Sequence, residues 1–189
     1  MSLLKIQVLG SSILRVETTP VAEITDELQL LIDDMFETMH AAQGIGLAAP
    51  QVGRSERLAV IEIEGEQYVI INPEIVEESG SAKDEEGCLS IPEIYGEVER
   101  STQVVVHAMD RHGKHFEIAA DGLLARCLQH EIDHLHGKLF IDYLSFLKRR
   151  AAIAKWELQK SKYPDLVREL TPDVVKRLRE DHEHDDERL

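Results

Sequence analysis

Six residues restrict the fold of this chain more than any others: Gln129-His130-Glu131-Ile132-Asp133-His134. They lie within a run, Leu123 to Leu135, that reads as helix. A helix turns about 100° per residue, so residues four apart differ by roughly 40° and share a face. His130 and His134 can therefore hold one metal ion between their imidazoles. Glu131 points to the side, where it suits a base acting on water better than a ligand. His-Glu-x-x-His on a helix signals metallohydrolase chemistry. Two histidines do not complete a site, so another part of the chain has to supply a third ligand. The competing explanation is a surface helix that is merely rich in histidine and acids.

A chain of 189 residues suits one domain with a substantial core, plus an appendage. No apolar run approaches the ~20 residues of a membrane span, and Met1 to Gly10 does not read as a signal peptide. A cytoplasmic protein with no membrane partner is expected. The two cysteines, Cys88 and Cys127, are then not expected to form a disulfide. The net charge of −15 argues against general nucleic-acid binding, and no specific DNA binding is expected. The charge is uneven. Ser145 to Arg179 carries ten Lys and Arg against four acids, an excess of +6, and Glu180 to Leu189 carries six acids and one Arg. A basic helical segment followed by an acidic tail can touch a polyanion locally.

Along the chain, Lys5 to Leu9 is a short apolar stretch, Gly10-Ser11-Ser12 a turn, and Leu14-Arg15 and Pro20-Val21 read as an extended arm. Thr25 is an expected N-cap, followed by Leu28, Leu31, Ile32, Met35 and Met39 at helical spacing. The helix has to stop by Gly44-Ile45-Gly46. In Leu47-Ala48-Ala49-Pro50-Gln51, the small alanines permit close packing and Pro50 biases Ala49 toward extended backbone. Gln51 is thereby offered as an amide donor on a rigid segment; a tight buried turn with an incidental Gln is the competing reading. Arg57 to Ile63 and Gln67 to Ile71 read as a hairpin, with Asn72-Pro73 as a turn and Glu74 to Glu77 as a short strand. Val98 to Asp110 reads as one long β-rich stretch, and Arg111 to Lys114 as a turn into His115 to Ala119. His107, His112 and His115 are placed at the surface without a role.

Cys88 stands in a polar, glycine-containing segment, Lys83 to Ser90, whereas Cys127 stands in an apolar run, as a structural thiol does. Cys88 is therefore the natural candidate for the missing ligand. Asp121-Gly122 opens the metal helix, and Gly137 is a good residue to follow its end. Leu139-Phe140-Ile141 is a short apolar return. Ser145 is expected to cap a further helix with Phe146, Leu147, Ile153, Trp156 and Leu158 at its apolar positions, broken by Lys162-Tyr163-Pro164. Thr171-Pro172 starts a last helix before an acidic end expected to be disordered. The division expected is a catalytic domain over residues 1–145 and a C-terminal helical extension over 146–189.

Three stretches stand in order: Gly44-Ile45-Gly46-Leu47-Ala48-Ala49-Pro50-Gln51, Glu86-Gly87-Cys88-Leu89-Ser90 and Gln129-His130-Glu131-Ile132-Asp133-His134. Together they resemble the three signature motifs of peptide deformylase, and the likeness runs from Val8-Leu9 to about Tyr143-Leu144-Ser145. The resemblance implies removal of the formyl group from N-formylmethionyl nascent peptides. It implies an α+β fold with antiparallel sheets around a central metal-binding helix, which agrees with the strand-then-helix pattern. It implies Cys88, His130 and His134 as metal ligands, natively of Fe2+, and Glu131 as general base, with Gln51 and the Leu89 N–H as oxyanion donors. Backbone groups of Ile45, Gly46, Glu86 and Gly87 would hold the peptide, and Ile45, Leu123 and Cys127 would line the methionine pocket. Cys127 as a small core residue is the competing reading.

The resemblance further implies that Asp133 pairs with Arg100 behind the site, and that a C-terminal helix docks on the ribosome in some members. The ferrous assignment rests on resemblance alone. Cys/His/His also suits zinc, which the Irving–Williams order favours over iron, so Zn2+ or Ni2+ can occupy a purified sample. Position 95 is Tyr where some members have an Arg contacting the peptide. Asp84 and Arg126 fall where some members are apolar. These departures bear on preference beyond formyl-methionine. Two other functions compete. A zinc peptidase of the His-Glu-x-x-His type would take a downstream ligand, for which His136 and Glu157 are candidates. A catalytically silent metal-binding homologue would normally have lost Glu131, Gln51 or a ligand, and all are present.

Overall fold

The first helix starts where its cap dictates. The Thr25 side chain accepts a hydrogen bond from the Leu28 N–H at 3.2 Å, opening α1 (Asp26–Ala41). A computed structural model describes residues 3–186 of the protein. Before α1 come β1 (Ile6–Gln7) and a 3-10 turn over Ser12–Arg15, so Leu14-Arg15 is wound rather than extended. After it come β2 (Gly46–Ala48), a 3-10 turn over Ala49–Val52, β3 (Leu58–Ile63) and β4 (Glu66–Ser79). The chain continues through β5 (Ala82–Cys88), β6 (Ile91–Arg100), β7 (Gln103–Met109) and β8 (His115–Asp121) into α2 (Gly122–Leu135). A 3-10 turn, α3 (Phe146–Gln159), β9 (Val167–Arg168) and α4 (Pro172–Asp186) complete it. The last three residues of the acidic end lie outside the described residues.

The strands form a five-stranded sheet in the order β2-β3-β4-β7-β8, with the pairs β5-β6 and β1-β9 beside it, every ladder antiparallel. The large sheet is covered on both faces, and β3 shows why. Its side chains alternate across the pleat. Leu58 and Val60 pack with Leu28, Ile32, Met35 and Met39 of α1. Ala59 and Ile61 pack with Ala125, Leu128, Ile132 and Leu135 of α2. Those four α2 residues recur at intervals of three and four, one helical stripe. The opposite face of α2 is thereby left for the histidines.

Two further expectations are corrected. Asn72-Pro73 does not end the strand: β4 passes through it on an irregularity between Ile71 and Glu74, with Asn72 at φ 49°. The Asn72 side chain spends its polar groups on Val21, accepting from its N–H at 2.8 Å and donating to its carbonyl at 2.9 Å. A residue pair suited to a turn thus becomes a bulge that pins the N-terminal arm. The β-rich stretch from Val98 is the end of β6 and all of β7, broken at Ser101-Thr102. Gln129 satisfies the backbone at the break, accepting from the Ser101 N–H at 3.0 Å and donating to the Ser101 carbonyl at 2.9 Å. The helix capped by Ser145 is present as expected, and it leaves most of its apolar positions in solvent. Trp156 and Ala152 are buried, but Phe146, Leu147 and Leu158 are 72%, 75% and 86% exposed.

The C-terminal end of α2 is held by the arm. Thr18 donates its N–H and its hydroxyl to the Leu135 carbonyl, at 3.0 and 2.8 Å. Gly137, at φ 68°, follows the helix as expected, and a Cβ there would come within 2.8 Å of Arg15 backbone. No helix among the described residues is long and apolar enough to cross a membrane.

Candidate metal centre and active-site cleft

Cys88, His130 and His134 converge although 42 residues separate the cysteine from the first histidine. The two histidines are one helical turn apart on α2, and Cys88 ends β5. Cys88 Sγ lies 3.3 Å from His134 Nε2, which lies 3.3 Å from His130 Nε2, and the three donor atoms fall within 4.8 Å of one another. A thiol sulfur and two imidazole nitrogens at this separation fit the donor set and spacing of a four-coordinate divalent ion with one position left open. The competing surface-helix reading of His-Glu-x-x-His fails here, because Glu131 and His134 are buried.

His130 is oriented by Glu86, whose carboxylate lies 3.0 Å from His130 Nδ1. A proton held on Nδ1 leaves the Nε2 lone pair facing Cys88. Burial alone would raise the pKa of Glu86, but the bonds from His130 and Arg100 prevail and hold it at about 2. Arg100 donates to both Glu86 oxygens at 2.9 and 3.0 Å and to Asp133 at 2.5 Å, so the expected Arg100–Asp133 pair is present. Arg126 donates to Glu86 at 2.8 Å and to the Val98 and Ala82 carbonyls. Tyr143 closes the network, its hydroxyl donating to Asp133 at 2.9 Å and its ring 4.6 Å from the Arg100 guanidinium. Sequence reading singled out Glu86 for its backbone and overlooked its side chain. An acid directly preceding the Gly-Cys pair was the available signal.

Glu131 is buried beside this centre, and its Oε2 meets no hydrogen-bond partner among the described residues. Burial, helped by the Glu86 charge and opposed by His130 and Arg100, raises its pKa to about 7. Burial, with His130 and Arg100 nearby, lowers the pKa of His134, favouring the neutral imidazole a ligand must be. Cys127 differs from Cys88. Burial and the carboxylates of Glu131 and Glu86 push its thiol up, and its S–H rests 3.9 Å from the Ile45 carbonyl.

The glycine-rich stretch fits against these groups by omission. A Cβ on Gly46 would come within 2.8 Å of Glu131 Cδ and 2.9 Å of Cys127 Sγ, and one on Gly44 within 2.7 Å of Leu89 Cδ1. Gln51 is fixed by accepting the Ala48 N–H at 2.8 Å. Its amide then points at Ser90 Oγ, 3.2 Å away, and Cys88 Sγ, 3.6 Å away. The metal, catalytic and substrate-binding residues expected from the sequence, His134 excepted, line one cleft of about 530 Å³, a size ordinary for a ligand site. Ile45 and Leu123 stand half-exposed at its margin. The cleft also takes in Tyr163, Arg168 and Leu178, which sequence reading did not assign to it.

The sequence model of the polypeptide deformylase family matches residues 3–150. The chain belongs to the peptide deformylase family. Among curated relatives, peptide deformylase 1 of Shewanella oneidensis is 51% identical over 160 residues, covering 83% of this chain and 95% of that protein. The peptide deformylase of Hydrogenovibrio crunogenus is 55% identical over 147 residues, covering 76% and 87%. The crystal structure of a peptide deformylase from Legionella pneumophila superposes with a TM-score of 0.81 at 51% identity, covering 86% of this chain and all of that one. That of Synechococcus elongatus, solved in complex with actinonin, gives 0.79 at 44% identity, covering 82% and 88%. The chain is accordingly a peptide deformylase by family, a metal-dependent hydrolase that removes the formyl group from N-formylmethionyl peptides. The peptidase and silent-homologue readings are not favoured.

Proposed function

We propose that Cys88, His130 and His134 hold one divalent ion and that Glu131 handles the proton of the hydrolysis. One observation carries this reading: a buried carboxyl whose Oε2 has no partner among the described residues stands beside three converged metal-ligand atoms. When bound, the ion supplies Lewis acidity, making water nucleophilic near neutral pH and polarising a carbonyl. Glu131 accepts a proton from the attacking water. It returns that proton to the amino nitrogen as the formyl carbon–nitrogen bond breaks, yielding formate and a free α-amine. The Gln51 amide and the Leu89 N–H donate to the formyl oxygen as negative charge develops on it. Backbone groups of Ile45, Gly46, Glu86 and Gly87 hold the peptide extended, and Ile45, Leu123 and Cys127 receive the methionine side chain.

The native ion in this proposal is Fe2+, with Zn2+ or Ni2+ expected in samples handled in air or purified on nickel. Catalysis resides in residues 1–145, and residues 146–189 form the extension. The substrate is the nascent peptide in the cytoplasm, and α3, with Lys148, Arg149 and Arg150 beside exposed Phe146 and Leu147, is the segment offered to the ribosome. Co-sedimentation with ribosomes, lost on reversing these charges, tests that part.

The central test is formate release from a formyl-Met tripeptide by enzyme prepared without oxygen, with an acetyl-Met peptide as control and a metal assay. Formate release at one metal per chain, with little action on the acetyl peptide, is the expected result. Metal retention without formate release would overturn the assigned roles, and cleavage of internal peptide bonds would restore the peptidase reading.

A further inference from the structure

One wall of the cleft comes from outside the family match. The match ends at residue 150, yet Tyr163, Arg168 and Leu178 line the same cleft as Cys88 and Glu131. Backbone and packing both fix this wall. β9 pairs with β1, Arg168 opposite Ile6, and the Val8 N–H donates to the Leu166 carbonyl at 2.9 Å. Leu170 is buried with Ile6, Ala41 and Ala42, and Leu89 and Leu178 pack against that cluster. Tyr163 stacks on Trp156 with ring centroids 5.6 Å apart.

Arg168 is the chemically informative member. Arg100 and Arg126, the other partly or fully buried arginines near the cleft, each meet a carboxylate. The Arg168 side chain makes no hydrogen bond or ion pair among the described residues. The carboxylate that acts on it, Glu93, makes no hydrogen bond to it and pairs with Lys162 at 3.6 Å. Burial lowers the pKa of Arg168, while Tyr163, Glu93 and Tyr95 act in the opposite sense. Arginine remains charged under such shifts. Tyr95 connects this charge to the reaction centre. Its ring lies against Gly87, where an added Cβ would come within 2.7 Å of Tyr95 Cε1, and Gly87 adjoins Cys88.

A half-buried guanidinium without an anion is a poor structural element and a good receptor, since its planar fork matches a carboxylate. A formylated peptide has no charged amine, so the carboxylates farther along it are the anions it brings. We infer that Arg168 is a specificity-determining residue that receives a carboxylate carried by the substrate peptide after its formyl-methionine. This rests on the deformylase reading of the same cleft. The carboxylate has two sources, an Asp or Glu side chain or the C-terminus of a short peptide.

The test uses the metal-loaded full-length enzyme at low salt and C-terminally amidated formyl-Met tetrapeptides, with Glu or Gln at each of the three following positions. At one position Glu is expected to exceed Gln in kcat/KM by about fivefold to tenfold, expressed in KM and reduced by salt. Arg168→Gln brings that ratio to one, Arg168→Lys retains part of it, and Arg168→Glu inverts it in favour of Gln. Because each ratio is taken within one enzyme, a general loss of folding or turnover cannot imitate these results. A preference for the free acid of formyl-Met-Ala-Ser over its amide, erased in Arg168→Gln, supports the inference with the terminal carboxylate as the source. Formate release with no discrimination among any of these peptides, or an unchanged ratio in Arg168→Gln, overturns the inference alone. No formate from any peptide overturns the underlying reading, and the inference falls with it.

Discussion

Helices α2 and α3 are each 14 residues long and depart from ordinary burial in opposite senses. α2 buries Gln129, Glu131 and His134, whereas α3 leaves Phe146, Leu147 and Leu158 in solvent. The difference lies in what surrounds each helix. α2 is enclosed by the sheet on one side and by β5 and β6 on the other, so its polar groups either find partners or change their charge state. Gln129 finds Ser101, and Glu131, lacking a partner, shifts to a pKa of about 7. α3 lies at the margin and is anchored by Trp156, Ala152 and Gln159, whose amide donates to the Pro92 carbonyl at 2.7 Å. Three anchored positions leave the other apolar residues free.

The largest expected effect falls on α2. Glu131→Gln keeps the metal and lowers kcat by about 10² to 10⁴-fold, read by formate release beside a metal assay. Near-normal turnover would remove Glu131 from its role. Arg100→Ala comes next, because it removes two charge-assisted bonds from buried Glu86 and the only cation paired with Asp133 among the described residues. A loss of about 3–5 kcal/mol is expected in urea unfolding, and a loss below about 1 kcal/mol would mean that the network is not the support of the helix.

Acid provides a third probe. The Glu86 carboxyl sits at about 2 in the fold against an ordinary 4.5. A depressed carboxylate stabilises the fold fully above the unfolded value and loses that contribution as pH falls through the folded one. About 3 kcal/mol should therefore drain between pH ~4.5 and ~2. Unfolding curves of chelator-treated wild type and Glu86→Gln should diverge in their acid slopes; parallel slopes would contradict the shift.

On α3 the comparison sharpens to a pair of substitutions. Trp156→Ala, which empties a buried site and unstacks Tyr163, should cost about 3 kcal/mol. Leu158→Ser, one helical position of the same chemistry but in solvent, should change stability by less than about 0.5 kcal/mol. Comparable costs for the two would mean that α3 is packed differently.

Much of the frame could be read from local chemistry. Thr25, Ser145 and Thr171 cap the helices they were expected to cap, accepting from N–H groups three residues on. The α1 stripe and the β3–β4 hairpin follow from periodicity. The misread places are those where a distant residue outweighed a local signal: Val21 absorbing Asn72, and Gln129 crossing to Ser101. At the site, Cys88 stood out because its segment is polar for a structural thiol. Glu86 carried a weaker mark, an acid directly before Gly87-Cys88, and Arg168 as part of the cleft carried none.

By itself the sequence determined the helix face that offers His130 and His134, the Thr25 cap that opens α1 and the apolar stripe that follows it. Those properties depend on residue type and on spacing within one element, where geometry is set by the backbone. Only the tertiary structure decided that Glu86 sits within reach of Arg100, Arg126 and His130 at once, that Glu131 is dry enough to titrate near neutrality, and that Arg168 joins the cleft. Burial and charge proximity arise between elements far apart in the chain, and desolvation acts only once those elements have closed on one another.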